Sequence, residues 1–137
     1  MRIDDKIEEI EGYAQELNEI LPENLEEYQD LKTRAACERY FEKIIEAVVD
    51  LAFLIIKQMS LKIPEEDKEA FDILAEQKII SKELAEKLKE AKGMRNILAH
   101  EYGTTDDEIV FDSITDELGR DVKEFIQQIK SAISSNL

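Results

Sequence analysis

Several residue types that build covalent or metal-bound frameworks are scarce in this chain. Its 137 residues include one cysteine, Cys37, and one histidine, His100. A lone cysteine excludes an intrachain disulfide, and one Cys with one His cannot complete a Cys/His zinc site within a single chain. We therefore expect neither a metal nor a cofactor. Cys37 is expected to pack as a small apolar residue, with a reactive thiol as the alternative.

Long hydrophobic runs, glycine and proline are also rare. The chain has four Gly and two Pro, with 43% hydrophobic and 37% charged residues, the composition of a helical globular protein. The longest apolar stretch, Ala47 to Ile56, contains Asp50 and is too short to span a bilayer. The N-terminal segment is charged from Asp4 onward, so we expect no signal-peptide core. The sequence therefore predicts a single domain over residues 1–137 in a soluble, cytoplasmic protein without membrane contact.

Positively charged residues are also scarce. Eighteen Lys and Arg residues face 33 Asp and Glu residues, giving a net charge of −15, which argues against a nucleic-acid partner in general and leads us to expect no DNA binding. One stretch is locally basic, since residues 78–95 carry six cations and three acids. This stretch is either a basic surface or a solvated helix face with pairs such as Glu83–Lys87.

Helical spacing of apolar residues runs through the chain, and no alternating strand pattern occurs. It predicts an all-α, up-and-down bundle of four main helices plus one short helix, with the second helix at the centre because its apolar stripe is widest. The expected helices cover residues 3–21, 23–59, 66–77 (the short one), a fourth from an N-cap at Ser81 to about Tyr102, and a fifth opened by a capping box over Thr105–Glu108.

The end of the fourth helix carries the unusual residues. His100 is the side chain expected to titrate near neutral pH. Asn96 and His100 are four apart and share a helix face, whereas Arg95 and His100 are about 140° apart around a straight helix. Arg95 and His100 could instead converge where two copies of this helix meet. The alternative is a structural histidine that caps carbonyl groups at the helix end.

Gly93 lies inside this helix, just before the unusual residues. A glycine there costs roughly 1 kcal/mol relative to alanine. Either a close approach of another helix or a local kink would account for it.

The pattern Arg-x-x-x-x-His-x-Tyr, present as Arg95–Tyr102, resembles the signature of HEPN-domain toxins of the HepT family. The similarity extends through Phe71–Ala75, Leu84–Leu88, the long helix around Glu42–Ile55 and the closing helix. It implies a HEPN-like bundle that acts as a metal-independent endoribonuclease, with the motif helices of a homodimer forming the cleft. It also implies an antitoxin partner, an MntA-like minimal nucleotidyltransferase that transfers AMP from ATP to the motif tyrosine, Tyr102.

The motif residues suit this chemistry. Metal-free RNA cleavage needs a base for the 2′-hydroxyl, an acid for the leaving oxygen, and positive charge at the phosphate; the imidazole of His100 and the guanidinium of Arg95 fit these roles. Asn96 is the expected supporting group. One histidine per chain favours either a dimeric site or a single His100 with both roles. AMP on Tyr102 would add bulk and negative charge to the RNA cleft and block it.

Two other functions remain open from the sequence. The chain could be a non-enzymatic binding or regulatory subunit of a nucleotidyltransferase, with its acidic faces docking a basic partner. It could also be a plain helical scaffold or oligomerisation module.

Overall fold

The structure, a computed structural model, describes residues 2–100 and 106–135, with the backbone alone at positions 99 and 100. All regular elements among these residues are helical, as predicted. They are α1 (Arg2–Ile20), α2 (Leu25–Tyr28), α3 (Leu31–Gln58), α4 (Asp67–Glu76), α5 (Lys82–His100), α6 (Asp107–Asp112), a π-helical segment (Ser113–Glu117) and α7 (Leu118–Ser135). The predicted bundle of four main helices is confirmed in α1, α3, α5 and the continuous stretch from α6 to α7.

Helix α3 is central, as its wide apolar stripe predicted. It packs against α1, α4, α5 and the π-helical segment. Its buried residues repeat at three and four positions, which is the spacing that keeps one broad face against the core. They are Cys37, Phe41, Ile44, Ile45, Ala47, Val48, Val49, Leu51, Ala52, Ile55 and Ile56. Cys37 is fully buried, and this burial raises the pKa of its thiol, so the prediction that it packs as an apolar residue is confirmed.

The predicted helix over residues 23–59 is wrong at its start, because two side-chain caps divide it. The Asn24 side chain accepts a hydrogen bond from the backbone N–H of Glu27 at 2.9 Å and opens the one-turn α2. The Asp30 carboxylate then accepts from the backbone N–H of Thr33 at 3.1 Å and opens α3. Asn and Asp bind nearby backbone groups in this way in competition with continued helix.

The last helical stretch also differs from its prediction. Its N-cap is Asp106, whose carboxylate accepts from the backbone N–H of Glu108 at 2.9 Å, one position later than the predicted capping box; Thr105 lies outside the described residues. The π-helical segment interrupts the regular helix. The Thr115 hydroxyl donates at 2.8 Å to the Phe111 carbonyl, the acceptor that its own N–H would use in a regular α-helix.

The start of α5 follows its prediction. The Ser81 hydroxyl accepts from the backbone N–H of Leu84 at 3.1 Å, which is the expected N-cap. The Ser81 backbone N–H donates to the Gln128 side chain at 2.7 Å and thereby ties the start of α5 to α7. The predicted helix end near Tyr102 and Gly103 lies outside the described residues. No helix in the described part of the chain is both long and apolar enough to cross a membrane.

Candidate active site

Arg95 lies on α5 and is held by the central helix. Its Nη2 donates to Oε1 of Glu46 on α3. The Arg95 side chain is 18% exposed and the Glu46 side chain 45% exposed. The Arg95 Nε atom is buried and has no hydrogen-bond partner among the described residues. The guanidinium therefore lies near the protein surface. Its Nε is buried, and its Nη2 is bound by the Glu46 carboxylate.

Arg95 and Glu46 line a surface cavity of about 470 Å³ between α3, α5 and the start of α4. Its walls combine three carboxylates, two cations and two apolar side chains. The lining residues are Glu46, Val49, Asp50, Phe53, Asp67, Lys92 and Arg95. Across the described ranges, no group of three or more His, Cys, Asp or Glu residues is arranged to hold a metal ion.

Half of the six cations in the basic stretch that leads to the motif are paired with carboxylates from other helices. Three of its cations recur at three-residue intervals along α5, and each meets a carboxylate from α3 or α4. The pairs are Lys89 with Asp72 at 2.9 Å, Lys92 with Asp67 at 3.1 Å, and Arg95 with Glu46. These ion pairs therefore join α5 to α3 and α4. This outcome is closer to the paired helix face than to the open basic surface, although its partners come from other helices.

Asn96 and the backbone of His100 both lie on α5, as predicted. Asn96 is half-buried and directly follows Arg95. The His100 side chain and all of Tyr102 lie outside the described residues. The catalytic role of His100, the supporting role of Asn96 and the modification of Tyr102 therefore stay predictions, as does the catalytic role of Arg95.

Gly93 has a specific neighbour. A Cβ at this position would lie 3.3 Å from Nζ and 3.9 Å from Cε of Lys68, and no other described residue outside the local helix comes within 4 Å. The close approach of another helix is therefore not found within the described chain. Gly93 instead leaves room for the end of a flexible lysine from α4, and α5 remains one helix through this position.

The end of α5 is poorly covered by the rest of the chain. No residue in the range 93–98 is fully buried. Ile97 is 51% exposed, whereas Leu88, earlier on the same helix, is 1% exposed. Met94 and Leu98 are also only partly buried. Apolar surface is therefore left open at Ile97, near the end of α5.

Sequence reasoning missed Glu46. This residue follows the buried Ile45 at the edge of the α3 stripe and is 49 positions from Arg95. A carboxylate beside an apolar stripe is common on amphipathic helices, so the sequence alone holds no signal that pairs it with the motif arginine.

Known proteins similar to this chain now define its family. A family model described as Ribonuclease HepT-like matches residues 3–129. The chain belongs to the HepT-like ribonuclease family. The resemblance inferred from the motif is thus confirmed over nearly the whole chain.

Individual relatives agree with this assignment. The mRNA nuclease HepT of Shewanella oneidensis is 28% identical over 126 residues, covering 92% of this chain and 94% of the relative. A protein of Archaeoglobus fulgidus is 32% identical over 136 residues, covering 97% and 96%. Among solved structures, a tri-AMPylated HEPN toxin of Shewanella oneidensis in complex with an MNT antitoxin matches with a TM-score of 0.87 and 28% identity, covering 94% of this chain and 96% of that one.

Proposed function

We propose that this chain is the toxin of a type VII toxin–antitoxin system and acts as a metal-independent endoribonuclease. The observation that carries the proposal is the match of nearly the whole chain to the HepT-like ribonuclease family. The position of Arg95 supports it, because the motif arginine lies at the rim of a cleft rather than in the core.

The proposed reaction is a transesterification within RNA. The 2′-oxygen attacks the adjacent phosphorus while a base accepts its proton, and the bond from phosphorus to the 5′-oxygen breaks as an acid protonates that oxygen. The products are a 2′,3′-cyclic phosphate and a 5′-hydroxyl end. His100 performs proton transfer near neutral pH, Arg95 stabilises the charge on the phosphorane, and Asn96 orients His100 or binds a phosphate oxygen.

The active form in this proposal is a homodimer. Each chain has one histidine, and Arg95 and His100 diverge by about 140° on a straight helix. A cleft between the α5 helices of two protomers supplies both side chains to one phosphate. The uncovered apolar surface at Ile97 supports contact at this end of α5, since burying it removes apolar area from water.

Control of the toxin is assigned to Tyr102 and an MntA-like nucleotidyltransferase antitoxin. The tyrosine oxygen attacks the α-phosphorus of ATP, pyrophosphate leaves, and AMP remains on the side chain. This adds a negative charge beside the phosphate-binding arginine and repels RNA. The AMPylated state and antitoxin complex of the related Shewanella oneidensis toxin support this assignment.

The test is RNA cleavage by the purified chain in excess chelator. We expect cleavage to continue without divalent metal, to leave 2′,3′-cyclic phosphate ends, and to fall to background in His100→Ala. Co-expression with the nucleotidyltransferase should relieve growth arrest and add the mass of AMP to the wild-type chain but not to Tyr102→Phe. Cleavage that persists undiminished in His100→Ala rules out the proposed role of that residue.

A second function is favoured by the neutralised cations of α5. Because Lys89, Lys92 and Arg95 are already paired with carboxylates, the chain could serve as a non-enzymatic regulatory subunit of the nucleotidyltransferase. This alternative predicts a stable complex and modification of Tyr102, with no RNA cleavage by the free chain.

A further inference from the structure

We propose that Glu46 is a positioning residue that holds the Arg95 guanidinium in the orientation needed to bind the scissile phosphate. The inference rests on the proposed ribonuclease function and adds a residue outside the motif to its site. Glu46 does not touch RNA in this proposal; it acts through Arg95.

The first support is the rigidity of the element that carries Glu46. Helix α3 is the core of the bundle, and the residues on either side of Glu46, Ile45 and Ala47, are 1% and 3% exposed. Val49, one turn later and also on the cavity wall, is 6% exposed. The backbone from which the Glu46 carboxylate extends is therefore held in place by the core. By contrast, the Arg95 end of α5 has no fully buried residue over 93–98 and needs an outside anchor.

The second support is how the guanidinium is placed. Glu46 binds Nη2, and Nε is buried without a partner. A phosphate oxygen approaching from the cavity therefore meets the terminal nitrogens rather than the Nε edge. An arginine side chain has several rotatable bonds, and a carboxylate that fixes its planar fork removes the entropy cost of ordering it when RNA binds.

The third support is the sign of the charge. The Glu46 side chain is 45% exposed and faces the same cavity as Arg95, so it also repels an incoming phosphate. Positioning and repulsion are separable by substitution. Glutamine keeps an oxygen that accepts from Nη2 but removes the charge, whereas alanine removes both.

The kinetic test measures kcat and KM of wild type, Glu46→Ala and Glu46→Gln with the same RNA substrate. We expect Glu46→Ala to lower kcat by about tenfold to a hundredfold, the range for loss of catalytic alignment. Glu46→Gln should keep kcat close to wild type and lower KM for RNA, most clearly at low salt. If Glu46 only stabilised the fold, its substitutions would change the melting temperature. They would not lower kcat in Glu46→Ala and KM in Glu46→Gln.

Asp72→Ala is the matched control for Glu46→Ala. Asp72 pairs with Lys89 on the same helix, and its side chain is 43% exposed, close to the 45% of Glu46. It lies outside the cavity that holds Arg95. Both variants therefore lose one half-exposed ion pair to α5, and only Glu46→Ala should change kcat. In an Arg95→Lys background, adding Glu46→Ala should cause a smaller loss than it does in wild type, because Glu46 acts through the arginine.

A measurement independent of activity is the ¹⁵N relaxation of the Arg95 Nε–H group. We expect a rigid signal in wild type and Glu46→Gln and a more mobile one in Glu46→Ala. Equal rigidity in all three proteins, or an unchanged kcat in Glu46→Ala when Arg95→Ala is inactive, overturns the positioning role and leaves the ribonuclease proposal intact. Full activity in Arg95→Ala overturns the catalytic role of Arg95 and the positioning role of Glu46 but leaves the ribonuclease activity standing. No cleavage of RNA by wild type overturns the ribonuclease proposal and the positioning role with it.

Discussion

The two halves of α5 meet the rest of the chain differently. In the first half, over residues 82–92, Leu84, Ala85 and Leu88 are buried against the core, and Lys92 is 8% exposed in its ion pair with Asp67. In the second half, over residues 93–98, every described side chain is at least partly exposed. The same helix is thus an integral part of the bundle at its start and a surface element where the motif begins.

This difference separates stability from function along one helix. The first half contributes buried apolar area, which is the main favourable term in folding. The second half contributes little, and its polar residues are free to serve a binding site. The buried first half of α5 holds the helix in place, and the exposed second half stays accessible to substrate. Side chains on the second half can therefore be positioned accurately and still reach a bound ligand.

The largest effect expected on the exposed half is on activity. Arg95→Ala should lower RNA cleavage by about 10²–10³-fold, the usual loss when one donor to a developing anion is removed. The free energy of unfolding should change by no more than about 1 kcal/mol, since a partly exposed ion pair contributes little. Cleavage rates and urea unfolding measure the two quantities. A large loss of stability would instead place Arg95 with the structural half.

The opposite result is expected on the anchored half. Leu88 is 1% exposed, and Leu88→Ala should lower the free energy of unfolding by about 2–5 kcal/mol through lost burial and the cavity left behind. Activity per folded molecule, measured well below the melting temperature, should stay near wild type. Loss of cleavage in a fully folded Leu88→Ala protein would show that the two halves are not separable.

A smaller effect is expected at the exposed apolar residue of the second half. Ile97 is 51% exposed, so Ile97→Ser should change the unfolding free energy by no more than about 0.5 kcal/mol if it faces only solvent. If this surface is covered in the proposed dimer, self-association should weaken by about tenfold, which corresponds to about 1.4 kcal/mol. Sedimentation equilibrium measures the dissociation constant, and an unchanged constant argues against this dimer contact.

The smallest effect concerns pH at the anchored half. Hydrogen bonds from Lys89 to Asp72 and Glu86 raise the pKa of its ammonium above the usual range. Its stabilisation is therefore fully present below the pKa of the unfolded chain and is lost as pH rises through the higher folded pKa. The melting temperature of wild type should exceed that of Lys89→Met at about pH 8, and the gap should narrow toward about pH 11. A gap that widens in alkali would contradict this assignment.

Much of the fold could be predicted because its signals are local. The stripe of α3, the Ser81 cap of α5 and the helical placement of Asn96 each depend on residues within a few positions of one another. The predictions failed where a polar side chain forms a hydrogen bond with nearby backbone groups that competes with a regular helix. The caps at Asn24 and Asp30 divide the expected second helix, and the Thr115 hydroxyl lies within the π-helical segment that interrupts the last one.

The sequence by itself determined the all-helical bundle and the family, because apolar periodicity and the Arg95–Tyr102 motif are both written in consecutive residues. Only the tertiary structure decided that Lys89 and Lys92 are paired with carboxylates of α4 and that Glu46 binds Arg95. These pairs join residues that are far apart in the chain. They depend on how α3, α4 and α5 are rotated against one another, and that rotation is set by the packing of the whole core rather than by any single segment.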